Sequence, residues 1–319
     1  MAHCIRGGVA GAGVFGAVHA AKYAASDKAV LAAVYDIDAG RAEALARRYN
    51  AVPFTNYDGF LNAVEALTVA APASAHFDLA AAALVAGRHV LVEKPIALTL
   101  DQADRLNHLA RANGLALQAG HQERFVFASF GVFAREDRPK AIECRRCGPE
   151  TGRGEDVSVV FDLMIHDLDL VRRLIAAEPG AVEAQSIKGA AALAHEVEAR
   201  LVFDNGLVAS FLASRRAPEG ERLMRLIYED GTIEIDFMAR RVANTTSTPL
   251  GGDFTDASPP VSVTDPLGYG VERFFEAVLT GSPPPVTGPQ ARAALEWALL
   301  IDAAARANEE AVQKQTVSA

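Results

Sequence analysis

The first 120 residues alternate short apolar runs with alanine-rich amphipathic segments, a pattern that predicts strand–helix units feeding a parallel sheet. The predicted strands cover residues 5–10, 30–36, 67–71, 89–93 and 115–118. Helices are predicted between them, near residues 14–25, 39–49, 74–86 and 100–113. Residues 1–120 are therefore predicted to form a doubly wound α/β domain of the Rossmann type.

After residue 120 the apolar alternation follows the period of strands that pair as hairpins. Residues 197–203 and 207–214 flank the turn sequence Asp204-Asn205-Gly206, and residues 223–229 and 232–237 flank Asp230-Gly231. Residues 244–266 are rich in Thr, Ser, Pro and Gly and are predicted to be a loop, followed by helices at 268–280 and 288–312. Residues 121–319 are therefore predicted to form a second α/β domain.

Composition excludes several classes of function. The 319 residues carry 40 acidic and 31 basic side chains, a net charge of -9, so nucleic acids and anionic membranes are poor partners. No apolar run reaches the roughly 18 residues that a membrane-spanning helix needs. Three cysteines, an odd number, give no disulfide framework, and the cytoplasm is the expected compartment.

A glycine-rich motif follows the first predicted strand and opens the first predicted helix. It comprises Gly11, Gly13 and Gly16, with Val14 and Phe15 between the last two glycines. In this context the glycines permit a tight turn, the approach of backbone N–H groups to a pyrophosphate and close helix–strand packing. The motif predicts a dinucleotide site.

An acidic residue stands where such a site needs one. Asp36 ends the second predicted strand, 20 positions after Gly16, and its carboxylate is expected to accept hydrogen bonds from the adenosine ribose and to repel a 2′-phosphate. NAD is therefore favoured over NADP. The alternative is that Asp36 or Asp38 merely caps the next helix.

A lysine lies at the carboxyl end of the strand predicted at 89–93. Ligands of open α/β sheets bind outside the carboxyl ends of the strands, so Lys94 is expected to point toward the cofactor crevice, and Pro95 favours an extended backbone there. The ammonium group would donate a charge-assisted hydrogen bond to a substrate hydroxyl. The alternative is a solvated lysine at a strand end.

A second polar constellation lies on the helix predicted over residues 161–175. At about 100° per residue, Asp162, His166, Asp169 and Arg173 share one narrow arc between apolar flanks, which indicates a buried or cleft-lining stripe. Asp162 lies four residues before His166, a spacing at which a carboxylate can orient an imidazole for use as a general base. A purely structural His–Asp pair remains the alternative.

Other candidate motifs carry less weight. Cys144 and Cys147 match C-x-x-C but lack the second pair that a tetrahedral metal site requires, and no other spacing predicts a metal site. No G-x-S-x-G motif predicts a serine hydrolase. His19 and His76 are candidates to face the cofactor, although isolated histidines are more often packed or solvated.

Taken in order, these motifs resemble those of the Gfo/Idh/MocA oxidoreductases over nearly the whole chain. The residues that carry the resemblance are Gly11, Gly13, Gly16, Asp36, Ala71-Pro72, Glu93-Lys94-Pro95, Asp162 and His166. The resemblance implies an N-terminal NAD domain and a C-terminal substrate-binding and oligomerisation domain, built on a large open, mainly antiparallel sheet, with assembly as a homodimer or homotetramer. It also implies catalysis by Lys94, Asp162 and His166, and cofactor contacts that include Ala71, Pro72, His76, Glu93 and Lys94.

Within the family, residues 120–125 and 162–167 look most like the nucleotide-sugar branch, particularly UDP-N-acetylglucosamine dehydrogenases that oxidise the C3 hydroxyl. Those relatives often continue the first motif with Asn-Pro, where this chain has Val126-Phe127. Arg145, Arg146 and Arg153 precede the Asp–His helix and are candidates to meet a diphosphate, or are ordinary surface arginines. The alternatives are a dehydrogenase of a free sugar or inositol, an NAD-dependent glycoside hydrolase and a non-catalytic NAD-binding sensor.

Overall fold

A computed structural model describes residues 3–152, 154, 156–188, 193–252 and 258–317 of the chain. The chain forms two compact units. The first contains Met1–Gln122 and Asp265–Arg292, and the second contains Glu123–Thr264 and Ala293–Ala319. The sequence-based division at residue 120 differs from this one chiefly in assigning residues 265–292 to the second domain.

The first unit is built on a parallel sheet of six strands in the order β3-β2-β1-β4-β5-β6. The strands are β1 (Ile5–Ala10), β2 (Ala29–Tyr35), β3 (Val52–Phe54), β4 (Ala66–Val69), β5 (His89–Val92) and β6 (Leu117–Ala119). The helices are α1 (Val14–Ala24), α2 (Ala39–Arg48), α3 (Tyr57–Ala63), α4 (Ala73–Val85) and α5 (Leu100–Ala112). The predicted Rossmann architecture is confirmed.

Hydrophobic packing explains why residues 265–292, although late in the chain, belong to the first unit. The helix α9 (Pro266–Thr280) buries Val271, Phe274 and Phe275 in the core formed by α1 and the parallel sheet. The ring of Phe275 meets Tyr23 of α1 edge-on, with 4.7 Å between the ring centroids. The amphipathic pattern of α9 predicts a helix, but it does not say which sheet the helix covers.

In the first unit the sequence pattern missed two short elements, β3 and α3. Strand β3 lies at the edge of the sheet, has only three residues and contains Pro53, so neither its length nor its pattern predicts a strand. Helix α3 has seven residues and begins after Asn56, whose side chain accepts a hydrogen bond from the backbone N–H of Gly59. The remaining parallel strands agree with the prediction to within about two residues.

The second unit is built on a seven-stranded sheet in the order β13-β12-β11-β7-β10-β9-β8. Its strands are β7 (Ala141–Cys147), β8 (Ala181–Lys188), β9 (Ala194–Val202), β10 (Val208–Ser214), β11 (Glu221–Ile227), β12 (Thr232–Asp236) and β13 (Arg241–Asn244). Strands β7 and β10 are parallel, and the other neighbouring pairs are antiparallel. The mainly antiparallel sheet and both predicted hairpins are confirmed.

Helices of the second unit include α6 (Glu123–Ser129), α7 (Ile165–Ile175) and the four-residue α8 (Val261–Thr264), and α10 (Gly288–Val317) continues into it from the first unit. The helix predicted over 161–175 is not regular throughout. Residues Val160–Met164 form a π-helical turn, and α7 follows directly. The predicted loop 244–266 contains α8, and its residues 253–257 lie outside the described residues.

Candidate active site

The glycine motif forms a tight turn between β1 and α1. Gly11 has a φ of 102°, and a side chain at Gly16 would place its Cβ 1.7 Å from the carbonyl oxygen of Gly11, so both positions require glycine. A Cβ at Gly13 would meet nothing within 4 Å. The open space at Gly13, at the N-terminus of α1, fits the approach of a pyrophosphate to backbone N–H groups. Exposed Val14 and partly exposed Phe15 begin that helix.

Asp36 is held rigidly at the end of β2. Its carboxylate accepts hydrogen bonds from the backbone N–H of Ala12 (2.7 Å) and of Asp38 (2.9 Å) and from Nη2 of Arg41 (2.9 Å). Burial opposes ionisation of Asp36, but these hydrogen bonds outweigh it and hold its pKa below the ordinary value. Asp38 caps α2 by accepting a hydrogen bond from the backbone N–H of Arg41, so Asp36 is not the cap of that helix.

The strand β5 leads into Glu93, Lys94 and Pro95. The Glu93 carboxylate lies 2.8 Å from Nε2 of His19 (Oε1 to Nε2), and a Cβ at Gly120 would fall 2.7 Å from that carboxylate. Burial opposes ionisation of Glu93, but the hydrogen bond and charge of His19, together with Lys94, hold its pKa below the ordinary value. The Glu93 carboxylate, held by His19, also accepts a hydrogen bond of 3.3 Å from the backbone N–H of partly buried Lys94 and so supports the backbone there.

His76 bridges two loops of the same unit. Its Nδ1 lies 2.7 Å from the carbonyl oxygen of Pro95, and its Nε2 lies 2.9 Å from the carbonyl oxygen of Ala71. Burial lowers the pKa of His76 and favours the neutral ring, which carries one N–H and donates to one carbonyl at a time. The ring nitrogens of His76 are thus engaged by the backbone around Lys94. Pro72 precedes α4 as its N-cap.

In the second unit, Asp162 lies on the π-helical turn and buried His166 lies on the first turn of α7. The Asp162 carboxylate accepts a hydrogen bond of 2.9 Å from Nη2 of Arg215, which also donates to the carbonyl oxygen of Gly154 (2.6 Å). The positive φ of Gly154, 67°, and its missing side chain let the loop pack against the carboxylate. Arg215 thereby fixes Asp162 to the loop that precedes it.

Sequence reasoning missed Arg215. Arg215 follows the hairpin strand β10, far from the Asp–His motif in sequence, and only the pairing of β10 beside β7 brings it to the π-helical turn. Buried arginine is uncommon without a carboxylate partner, but a lone arginine after a strand carries no signal of its own.

The residues of the predicted polar stripe have separate partners. Asp169 forms a two-point ion pair with Arg124, with distances of 2.5 Å and 2.6 Å between nitrogen and oxygen atoms. Arg173 is exposed and lies over the ring of Phe133 at 4.6 Å from Cζ to the ring centroid. Asp169 therefore serves to hold α6 against α7.

Two of the three arginines named as diphosphate candidates, Arg145 and Arg146, form ion pairs within the second sheet and its helices. Arg146 is buried and donates two hydrogen bonds to Asp167, of 2.8 Å and 3.0 Å, so it is not a surface arginine. Arg145 is half-exposed on the opposite face of β7 and pairs with Glu221. Arg153 lies outside the described residues.

Lys94 belongs to the first unit, and Asp162 and His166 belong to the second.

Cys144 and Cys147 are free thiols on β7, and burial raises the pKa of both. Among the described residues, none of the helices combines the length and apolar composition needed to span a bilayer.

Comparison with known proteins agrees with the fold of the two units. Residues 5–121 match the family described as "Oxidoreductase family, NAD-binding Rossmann fold", and residues 129–234 match the "GFO/IDH/MocA C-terminal domain". The UDP-N-acetylglucosamine 3-dehydrogenase of Acidithiobacillus ferrooxidans is 33% identical over 314 residues, 95% of this chain and 98% of that protein. Its solved structure has a TM-score of 0.84, covering 96% of this chain and 99% of that chain.

Two further proteins are similar to this chain. The scyllo-inositol 2-dehydrogenase (NAD(+)) of Bacillus subtilis is 27% identical, over 93% of this chain and 92% of that protein. The WlbA dehydrogenase from Bordetella pertussis, solved in complex with NADH and UDP-GlcNAcA, shares the fold with a TM-score of 0.85 at 19% identity, covering 96% of each chain. The chain belongs to the Gfo/Idh/MocA family of oxidoreductases and is an NAD-dependent dehydrogenase that acts on CH–OH groups.

Proposed function

We propose that this enzyme oxidises the C3 hydroxyl of a UDP-N-acetylhexosamine with NAD. The observation that carries the proposal is the near full-length likeness, at 33% identity, to a UDP-N-acetylglucosamine 3-dehydrogenase, in a chain that contains Lys94, Asp162 and His166. An inositol or a free sugar is the second candidate, favoured by the likeness to an inositol dehydrogenase.

Three side chains carry out the proton chemistry in this proposal. His166 accepts the proton of the substrate hydroxyl as general base. Asp162 orients the imidazole of His166 and stabilises its protonated form, while Arg215 keeps Asp162 in place through the hydrogen bond of 2.9 Å. Lys94 donates a hydrogen bond to the substrate oxygen and stabilises the negative charge that develops there.

The cofactor would be held by the first unit. Gly11, Gly13 and the first turn of α1, with Val14 and Phe15, would bind its pyrophosphate, and Asp36 its adenosine ribose. Ala71, Pro72, His76, Glu93 and Lys94 would surround its nicotinamide half. When bound, NAD supplies a hydride acceptor for the carbon that bears the hydroxyl.

Purified enzyme incubated with NAD and UDP-N-acetylglucosamine tests the substrate. We expect NADH absorbance to rise and mass spectrometry to find a product two hydrogen atoms lighter, with the new carbonyl at C3. Lys94→Ala and His166→Ala should lose turnover but keep NAD binding. Lys140→Ala and His108→Ala, at exposed positions, are the matched controls.

Other outcomes would favour the remaining candidates. NADH formed from scyllo-inositol but not from UDP-sugars would assign an inositol or free-sugar dehydrogenase. Release of sugar from a glycoside without net NADH would assign a hydrolase that uses NAD transiently. NAD binding without redox turnover on any sugar would assign a sensor.

The assembly and the compartment are also proposals. We propose a homodimer or homotetramer that assembles through the second sheet. Light scattering on the purified protein decides the oligomeric state. The three free cysteines support a reducing compartment, and we propose the cytoplasm.

A further inference from the structure

The second sheet brings four arginines to one end. Arg146 is the penultimate residue of β7, and Arg215 directly follows β10, the parallel neighbour of β7. Arg222 is the second residue of β11 and pairs with Arg146 across the antiparallel ladder. Arg240 directly precedes β13, which begins at the same end. Because β7 and β10 end where β11 and β13 begin, the four side chains form a row across the sheet.

Three carboxylates form ion pairs with the arginines of this row. Asp162 and Asp167, on either side of His166, are bound by Arg215 and Arg146 respectively. Glu123, which is 3% exposed, accepts hydrogen bonds from Arg146 (3.4 Å) and Arg240 (3.1 Å) and lies 3.8 Å from Arg222. Among the described residues, these ion pairs therefore join four guanidinium groups to three carboxylates, an excess of one positive charge.

The excess charge lies on the exposed side of the cluster. Arg146 and Arg215 are buried, whereas the side chain of Arg222 is 46% exposed and that of Arg240 is 31% exposed. Burial and the neighbouring charges of Arg146 and Arg240 lower the pKa of Arg222, because a second cation is unfavourable there. An anion from solution would relieve that repulsion.

Arg240 reaches the cluster from the turn between β12 and β13, of which it is the last residue. Its guanidinium donates a hydrogen bond of 3.1 Å to Glu123, whose side chain is 3% exposed. The carboxylates that pair with the surface arginines Arg200 and Arg225 are instead 63% and 47% exposed.

We propose that Arg222 and Arg240 form an anion site that binds a phosphoryl group of the substrate. The site rests on the proposed function, since Asp162 and Asp167, which the row binds, flank the proposed general base His166 in sequence. Guanidinium groups bind phosphate oxygens in pairs. Glu123 holds Arg240 by a hydrogen bond of 3.1 Å and attracts Arg222, 3.8 Å away, by its charge. The ligand is thus a nucleoside diphosphate or a sugar phosphate, and not a neutral polyol.

Arg222→Gln tests the site, with Arg225→Gln as the matched control. Arg225 lies on the same strand but on the opposite face, where it pairs with Glu143 and Glu234. For UDP-N-acetylglucosamine we expect Arg222→Gln to raise KM about tenfold to a hundredfold with kcat nearly unchanged, as loss of a charge-assisted hydrogen bond implies. Arg225→Gln should leave both constants unchanged.

Direct binding measurements test the anion site independently of whether UDP-N-acetylglucosamine is the substrate. UDP, glucose 6-phosphate and scyllo-inositol are titrated calorimetrically into the NAD-bound wild type, Arg222→Gln, Arg240→Gln and Arg225→Gln. Binding of UDP that is weakened by Arg222→Gln and not by Arg225→Gln supports a nucleotide as the phosphate source, even if UDP-N-acetylglucosamine is not oxidised. If glucose 6-phosphate but not UDP binds, and Arg222→Gln weakens that binding while Arg225→Gln does not, the site is supported with a sugar phosphate as its ligand.

Two results would overturn the site. One is that wild-type enzyme binds neither phosphate compound, or binds scyllo-inositol equally well. The other is that Arg222→Gln and Arg240→Gln bind the phosphate compounds as tightly as Arg225→Gln does. Thermal unfolding of each variant checks the fold, and exposed Arg222 carries the test if Arg240→Gln is unstable.

Discussion

The carboxylate of Asp162 accepts a hydrogen bond of 2.9 Å from Arg215, 53 residues further along the chain. The same arginine donates to the carbonyl oxygens of Gly154 and Val157. Arg215 thus joins the end of β10, the preceding loop and the π-helical turn. The spacing between Asp162 and His166 is therefore not all that positions this carboxylate, because its direction also depends on an arginine at the end of β10.

Arg215→Gln should lower kcat about tenfold while KM changes little, because a charge-assisted hydrogen bond to Asp162 is lost. Steady-state kinetics with the identified substrate measure both constants. Arg215→Lys keeps the charge and should recover part of the loss. Arg200→Gln, at an exposed position of β9, is the control, and an equal effect there would contradict the role of Arg215.

Two substitutions in the glycine motif should affect folding and cofactor binding differently. Gly16→Ala places a Cβ 1.7 Å from the Gly11 carbonyl oxygen and should destabilise the protein by about 1–3 kcal/mol. Gly13→Ala meets no protein atom within 4 Å, so it should fold normally but weaken NAD binding at least about tenfold. Urea unfolding and calorimetric NAD titration distinguish the two effects, and unchanged NAD affinity in Gly13→Ala would contradict the predicted pyrophosphate position.

Asp36 should set the choice between NAD and NADP. Asp36→Ser removes the carboxylate that repels a 2′-phosphate and leaves Arg41 available to it, so the preference for NAD should fall at least about tenfold. The ratio of kcat/KM for the two cofactors is the measurement. Asp38→Ala is the control: it removes the cap of α2 and should cost about 1 kcal/mol of stability without altering the cofactor ratio.

Arg146 should be a structural residue. Arg146→Met leaves Asp167 buried without the arginine that binds it and removes one of the partners of Glu123, and should lower the free energy of unfolding by about 3–5 kcal/mol. Arg145→Met, which removes a half-exposed ion pair from the same strand, should cost less than about 1 kcal/mol. Equal losses in urea unfolding would contradict the assignment of Arg146 to the core.

Glu93 should make stability depend on pH. Its pKa is lowered in the folded protein, so its contribution is present above the ordinary value of 4.5 and is lost as the pH falls through the folded pKa. Wild-type protein should therefore lose stability more steeply than Glu93→Gln below about pH 5. Thermal unfolding at a series of pH values tests this, and parallel curves would show that Glu93 does not titrate with folding.

The parallel sheet and its cofactor could be predicted from the chain because their signals are local. Gly11, Gly13 and Gly16 are required by backbone geometry within one turn, and Asp36 follows at a spacing that one strand–helix–strand unit dictates. The hairpin at Asp204-Asn205-Gly206 is equally local. Amphipathic periodicity then supplies most of the helices.

The amino-acid sequence by itself determined the two α/β domains and the dinucleotide site, and it named Lys94, Asp162 and His166 as catalytic candidates. Tertiary structure alone decided which sheet α9 covers, that Arg146 is buried, and that Arg215 binds Asp162. The physical reason is sequence distance. Ion pairs and packing join residues far apart in the chain, and a charged side chain has no periodic pattern to tell whether it faces water or a buried partner.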